Sequence, residues 1–373
     1  MNKELTVVHV EAGKHLYGGA LQVFYLMRGL MKKNVRNVLV APQGSAIAAA
    51  SKGVVDHVYE VPMKGDLDIG FIFRLKKILK QEKANIVHLH SRRGADVLGG
   101  IAAKLAGVTC ILSRHVDNPE SRILVKLKYP LYNHVITISE GIRRVLVSEG
   151  VAAEKITCVH SAVDIEKYSQ PADRGWFLNE FSLPENAKVF AVIAQLIQRK
   201  GHRYLLQVLP ELLQRHPDLY VLFFGKGSLQ QEIEQQLIKT EFQGRVRLIG
   251  FRDDLEKILP CLYGVVHPAD MEGLGVSLLQ AAAAGVPIIG SEAGGIPEIV
   301  RDGVNGYLVP PGYTDMLAEK IEQLLTHEQL ANEFGQAGRK IVQNQFSIDA
   351  MVEGNKRVYE TLQSHIMTTS KPD

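Results

Sequence analysis

Short apolar runs rich in Val, Ile and Leu alternate along the chain with longer stretches whose apolar positions recur every three or four residues. In the first half the runs fall at 6–10, 37–41, 57–61, 86–90, 110–113, 134–138 and 156–160. The helical stretches between them fall at 19–33, 71–83, 95–106 and 140–148. A run that is apolar throughout, rather than at every second position, suits a strand covered on both faces. Such strands separated by amphipathic helices build a doubly wound α/β domain around a parallel sheet.

The alternation breaks at 161–184, a charged, Pro-containing stretch without clear periodicity that reads as a linker. It restarts with runs at 189–194, 220–225, 246–250, 264–267, 286–290 and 306–309. Helical stretches follow at 201–214, 228–238, 255–259, 274–283, 295–300, 314–325 and 329–343. The pattern predicts two Rossmann-like domains, 1–165 and 170–347, facing a cleft, then a helix over 348–366 and a frayed tail. Ligands of open parallel sheets bind beyond the carboxyl ends of the strands, so the cleft is the expected site.

Composition adds little to the fold but something to the partners. The apolar fraction of 46% and charged fraction of 22% are those of a globular chain. No apolar run is long enough to span a bilayer, and the N-terminal residues lack the pattern of a secretory signal. Three widely spaced cysteines argue against a zinc site or a disulfide framework and for a reducing cytoplasm. Residues 1–165 hold 23 Lys/Arg against 14 Asp/Glu, or +9, whereas the rest hold 20 against 26, or −6. A basic first half suits an anionic partner such as phosphate, acidic glycan or lipid head groups; a solvated basic face is the plain alternative.

The candidate chemistry sits where predicted strands end. Gly13 and the Gly18-Gly19 pair lie between the first strand and its helix, where glycine lets backbone approach an anion; a simple tight turn is the other reading. The surrounding residues fit neither a P-loop nor a dinucleotide fingerprint. Gly225-Lys226-Gly227 repeats the arrangement in the second half. Arg199-Lys200-Gly201 places two cations at a strand end, as a diphosphate needs, or is a surface basic pair. Gly294-Gly295 ahead of Pro297 predicts a helix start with N–H groups aimed into the cleft.

The stretch from Pro268 to Pro287 is the most distinctive. It holds an acidic loop, the Glu272-Gly273-Leu274-Gly275-Val276 segment and an Ala-rich helix bearing Gln280. Glu272 and Gln280 are eight residues apart, about two helical turns, so they can line one side of the same pocket. A carboxylate that accepts hydroxyl hydrogen bonds suits a sugar, and the N–H groups of Gly273–Val276 are donors at a helix start.

These motifs, with His90-Ser91-Arg92, Ser113-Arg114-His115 and Ser161-Ala162-Val163-Asp164, resemble the retaining GT-B glycosyltransferases of the family 4 group (glycosyl transferases group 1) over nearly the whole chain. The resemblance implies an acceptor-binding first domain, a donor-binding second domain, and a last helix that crosses back onto the first. It implies that Glu272 binds the donor sugar with the backbone at Gly273 to Gly275, and that Lys200 binds the diphosphate and stabilises the leaving group. Gly18 and Gly19 would meet phosphate and acceptor, and His115 would contact the transferred sugar. Catalysis by positioning and charge stabilisation would need no metal and no cofactor beyond the nucleotide diphosphate sugar, with UDP-sugar favoured over GDP-sugar.

Two positions depart from the family pattern. Gln280 stands where a ribose-binding Glu is usual, and Gln195 stands where an Arg is usual, with Arg199 the nearest substitute cation. His90, Arg92 and Arg93 are candidates to meet an anionic acceptor, a glycan or lipid-linked species of envelope polysaccharide or lipopolysaccharide synthesis. Asp66-Leu67-Asp68 matches a metal-binding signature of another fold and reads here as a helix cap. The basic amphipathic stretch 71–83 is either a peripheral contact with an anionic membrane or an ordinary helix over the sheet. No nucleic-acid partner is expected. A sugar-nucleotide epimerase or hydrolase, and a catalytically weak nucleotide-sugar binder suggested by Gln195 and Gln280, are the competing readings.

Overall fold

The computed structural model describes residues 5–90, 94–242 and 244–369. It divides into two compact units, residues 1–162 with 348–373, and residues 163–347.

Among the described residues the first unit carries seven parallel strands: β1 (Leu5–Val10), β2 (Val35–Pro42), β3 (His57–Val61), β4 (Ile86–Leu89), β5 (Thr109–Arg114), β6 (His134–Thr137) and β7 (Ile156–Cys158). Their order is β3-β2-β1-β4-β5-β6-β7. The second unit carries six: β8 (Lys188–Ile193), β9 (Leu219–Phe224), β10 (Val246–Gly250), β11 (Gly264–His267), β12 (Ile288–Ser291) and β13 (Gly306–Val309), in the order β10-β9-β8-β11-β12-β13. In both sheets the chain runs outward from a central strand, then returns to its other side. The reversal lies between β1 and β4 in one unit and between β8 and β11 in the other. In each unit the loops leaving those two strands therefore flank a switch point of that unit's own sheet, the place where such sheets hold ligands.

The apolar runs are strands because both sheet faces are covered. Val7, Val8 and Val10 in β1, and Val189 to Val192 in β8, are all nearly inaccessible. The Gly19–Met31 helix lies on the first sheet and is crossed by the Ile348–Thr369 helix, which closes that unit. Close approach there requires Gly29, where a Cβ would lie 2.3 Å from Val352.

The linker reading of 161–184 is not what the structure holds. Helices Ile165–Tyr168 and Arg174–Glu180 occupy it and belong to the second unit. Asp164 and Asp173 cap them by accepting from the Lys167 and Trp176 N–H groups, and Tyr168, Phe177 and Phe181 are buried. Four and seven residues are too few for periodicity to show. Asp68 stands at the N-cap of the Ile69–Gln81 helix, as expected; its carboxylate takes the Arg74 guanidinium of that helix at 2.6 Å and the Lys64 N–H at 3.0 Å.

Candidate functional site

In the second unit, the loops after β8 and β11 are locked together by backbone contact. Gly201 stands at φ 69°, and a Cβ there would meet the Pro268 carbonyl oxygen at 1.8 Å. The Asp270 N–H donates to the Arg199 carbonyl at 2.8 Å, and the Asp270 carboxylate takes Arg203 at 2.7 Å and the Tyr204 hydroxyl at 2.8 Å. These bonds bring Lys200, which is buried, onto Glu272 Oε2 in an ion pair.

Glu272 is held on every side. Oε2 also lies 2.7 Å from His267 Nε2, and Oε1 accepts from the Gly273 N–H at 3.1 Å. Burial pushes this carboxyl up, but the His267 hydrogen bond and the His267 and Lys200 charges outweigh it and hold the group ionised far below its ordinary range. A largely buried carboxylate clasped by the Lys200 ammonium and the His267 ring is an anchored charge rather than a proton donor. His267 is not among the residues the sequence singles out; its place at the end of β11, five residues before Glu272, is the signal for its contact. Its Nδ1 and both ring nitrogens of the neighbouring His202 are buried without a hydrogen-bond partner among the described residues, and burial pushes His202 down to about 4.

Gly294 and Gly295 differ from expectation. The Gly295 N–H is not aimed at a ligand but donates to the Glu272 carbonyl at 3.0 Å, ahead of a helix of four residues, Ile296–Ile299. Gly294 stands at φ 54°, and a Cβ there would fall 1.7 Å from the same oxygen. Gly294→Ala is therefore expected to cost about 2 kcal/mol or more in urea melts by displacing the Glu272 loop; an unchanged midpoint would show that this loop yields easily. Gly225 has a similar explanation. Its N–H donates to the Gly250 carbonyl at 2.9 Å, and a Cβ would meet the Ala194 carbonyl at 1.9 Å.

The Ala-rich helix begins at Val276, not Leu274, because Gly275 takes φ 98° at the preceding position. Leu274 is buried. The first-turn N–H groups of Val276 and Ser277 have no intrahelical carbonyl to meet. Gln280 donates its amide to the Tyr168 hydroxyl at 2.8 Å. Arg199 is half-buried and Gln195 exposed.

In the first unit the loops after β1 and β5 border a pocket of about 320 Å³, lined by Gly13, Lys14, Gly19, His90 and His115 among others. Gly18 takes φ 54° in open space, and Gly19 leaves the His115 ring room, with Cγ and Nδ1 3.8 Å from where a Cβ would lie. Burial pushes His115 down to about 4, so the ring is neutral at pH 7. His90 sits in a buried histidine cluster, with Nε2 2.9 Å from His9 Nδ1 and its ring 3.9 Å from that of His88. Arg92 and Arg93 lie outside the described residues.

Sequence reasoning missed the charges beneath this pocket. Arg114, 2% exposed, donates to the Val116 and Asn118 carbonyls and to Glu120, gripping the loop that carries His115. Lys128 bridges Asp96 at 2.7 Å and Glu120 at 3.0 Å. Burial pushes Glu120 up, yet the Arg114 and Lys128 charges hold it below the usual range. A lysine within an otherwise apolar helix face was the available signal.

Two family models match, one on each half: Glycosyltransferase Family 4 over residues 17–167 and Glycosyl transferases group 1 over residues 177–341. An Escherichia coli UDP-Gal:alpha-D-GlcNAc-diphosphoundecaprenol alpha-1,3-galactosyltransferase is 27% identical over 308 residues, 78% of this chain and 79% of its own length. A glycosyltransferase from Rickettsia africae superposes with a TM-score of 0.85 at 18% identity, covering 96% of this chain and 98% of that one. HepE of Anabaena, solved with UDP, gives 0.83 at 20% identity, covering 96% and 100%. With both halves matched and both sheets doubly wound, the chain belongs to the group 1 glycosyltransferases of GT-B fold.

Proposed function

We propose that this glycosyltransferase moves a hexosyl unit, with retention of anomeric configuration and without a metal, from a nucleotide diphosphate sugar to a glycan or lipid-linked acceptor in envelope polysaccharide or lipopolysaccharide synthesis. The observation that carries this reading is the buried Lys200–Glu272 pair at the switch point of the second unit. Lys200 is the cation for the leaving diphosphate, and Glu272 the acceptor for sugar hydroxyls, with the N–H groups from Gly273 to Val276 beside it. Gly225 shapes the same site through its neighbours, Arg199 adds charge, and Gln280 reaches the ribose.

The first unit supplies the acceptor pocket, where Gly18 and Gly19 open the loop and His115 meets the transferred sugar. His90 forms its wall, and Arg92 and Arg93 complete the anionic-acceptor reading. A uridine nucleotide is favoured, in line with the UDP bound by HepE and the UDP-Gal of the E. coli relative. Among the described residues no helix is long and apolar enough to cross a membrane. Peripheral contact with an anionic membrane is supported by Leu67, Ile69 and Phe73, exposed around the start of the Ile69–Gln81 helix that also carries Lys77 and Lys80.

A thermal-shift panel of UDP- and GDP-sugars tests the donor assignment, because a ligand that binds only the folded chain raises its melting temperature. A UDP-sugar is expected to give the largest rise. That donor should then be consumed slowly alone and rapidly with a membrane lipid extract, in EDTA, giving a product of unchanged anomeric configuration by NMR. Rapid consumption that no acceptor accelerates would instead favour hydrolysis or epimerisation.

A further inference from the structure

His115, together with His90 and Ser113, lines a second and smaller cavity of the first unit as well as the open pocket. This cavity measures about 20 Å³. A buried water needs roughly 10–15 Å³ and two or more polar partners, so there is room for one molecule. Two buried polar atoms on the cavity wall, His115 Nε2 and Ser161 Oγ, have no hydrogen-bond partner among the described residues. The other polar groups nearby are committed. Ser113 Oγ is bonded to His88 Nε2 at 2.8 Å, and Asn355 donates to the Met351 carbonyl at 2.9 Å. Gln22 clasps Ala162, donating to its carbonyl at 2.8 Å and accepting from its N–H at 2.7 Å, which fixes the backbone beside Ser161. Leaving two such atoms unbonded in the interior is costly, and they cannot reach solvent.

We infer that this cavity binds a single water molecule, hydrogen-bonded to His115 Nε2 and Ser161 Oγ, and that Ser161 acts through it as a positioning residue for His115. A neutral imidazole carries one N–H and one acceptor nitrogen, and the bond made by one decides what the other offers. A water held by Ser161 at Nε2 thus sets what Nδ1, over Gly19, presents to the pocket. The consequence for transfer rests on the role proposed above for His115; the water site does not.

The test uses the full chain labelled with ¹⁵N-histidine, the His115 signals being assigned with His115→Gln. Ser161→Ala removes one partner of the water, and Ser161→Val fills its place with a methyl group. The wild type should show one His115 tautomer. Ser161→Val should move the His115 nitrogens toward a tautomeric mixture, with Ser161→Ala intermediate. For the donor selected by the thermal-shift panel, kcat should fall about fivefold to tenfold with KM unchanged, the range expected for one lost hydrogen bond. Circular dichroism verifies folding, and Ser161→Ala carries the test alone should the valine variant not fold. Unmoved His115 signals in a folded variant overturn the inference, whatever happens to the rate. Moved signals with an unchanged rate uphold the water and remove His115 from the proposed chemistry.

Discussion

Replacing Lys200 by alanine is expected to lower the transfer rate by about 10²- to 10³-fold, the usual effect of removing a group aimed at charge developing in the transition state. The same substitution should lower stability by about 3 kcal/mol, because Glu272 keeps a largely buried charge that has lost its ammonium partner. His267 still bonds Glu272 Oε2 at 2.7 Å, which limits the loss. The two effects separate in a double variant. Lys200→Ala with Glu272→Ala should recover much of the stability, since neither charge is left stranded, while the rate stays at least as low as in Lys200→Ala. Urea melts and initial rates on all three proteins measure this. A Lys200→Ala protein that is folded and turns over at the wild-type rate would refute the assignment of the leaving-group cation.

The second large effect is on pH. Burial pushes His9 and His115 down to about 4, and pushes His88 and His90 well below the ordinary histidine value, with neighbouring imidazoles adding to it. All four belong to the first unit. A histidine that stays neutral when folded but binds a proton when unfolded makes stability rise with pH. Its contribution is fully present above about 6.5 and is lost as pH falls toward 4. For His9 alone a shift of that size corresponds to about 3 kcal/mol. Of the histidines in the second unit, His202 has the same depression, so that unit should lose stability less steeply. Trp176, the single tryptophan, lies in the second unit and reports it separately. Between pH 7 and pH 4.5 the urea transition followed by circular dichroism should move to lower denaturant and part from the Trp176 fluorescence transition. Transitions that remain coincident and unmoved would show that the histidine cluster takes up protons without cost.

The strands were legible because burial on both faces writes an unbroken apolar run, and the 95–106 and 140–148 helices because glycine or serine starts them cleanly. The segment after Ser161 was not, since its two helices are short and their buried aromatics are spaced irregularly. Lys200 and Glu272 were found as separate candidates 72 residues apart, but their direct pairing depends on Gly201 and Gly294 letting backbones nearly touch, which no local pattern encodes. His267 and Arg114 were passed over for the same reason: each acquires its role from a partner brought to it by a loop, His267 meeting Glu272 and Arg114 meeting Glu120.

The Ile348–Thr369 helix belongs to the unit whose sheet begins at Leu5, and its Tyr359 hydroxyl meets His88 Nδ1 at 2.6 Å in the interior. During synthesis the seven strands of that unit leave the ribosome long before the segment that seals them. Residues 163–347 can complete their own fold in the interval, while the earlier sheet waits with an uncovered apolar strip where Val352 and Tyr359 will dock. The first unit therefore completes its core only once residues 348–369, the last part of it to be made, can dock.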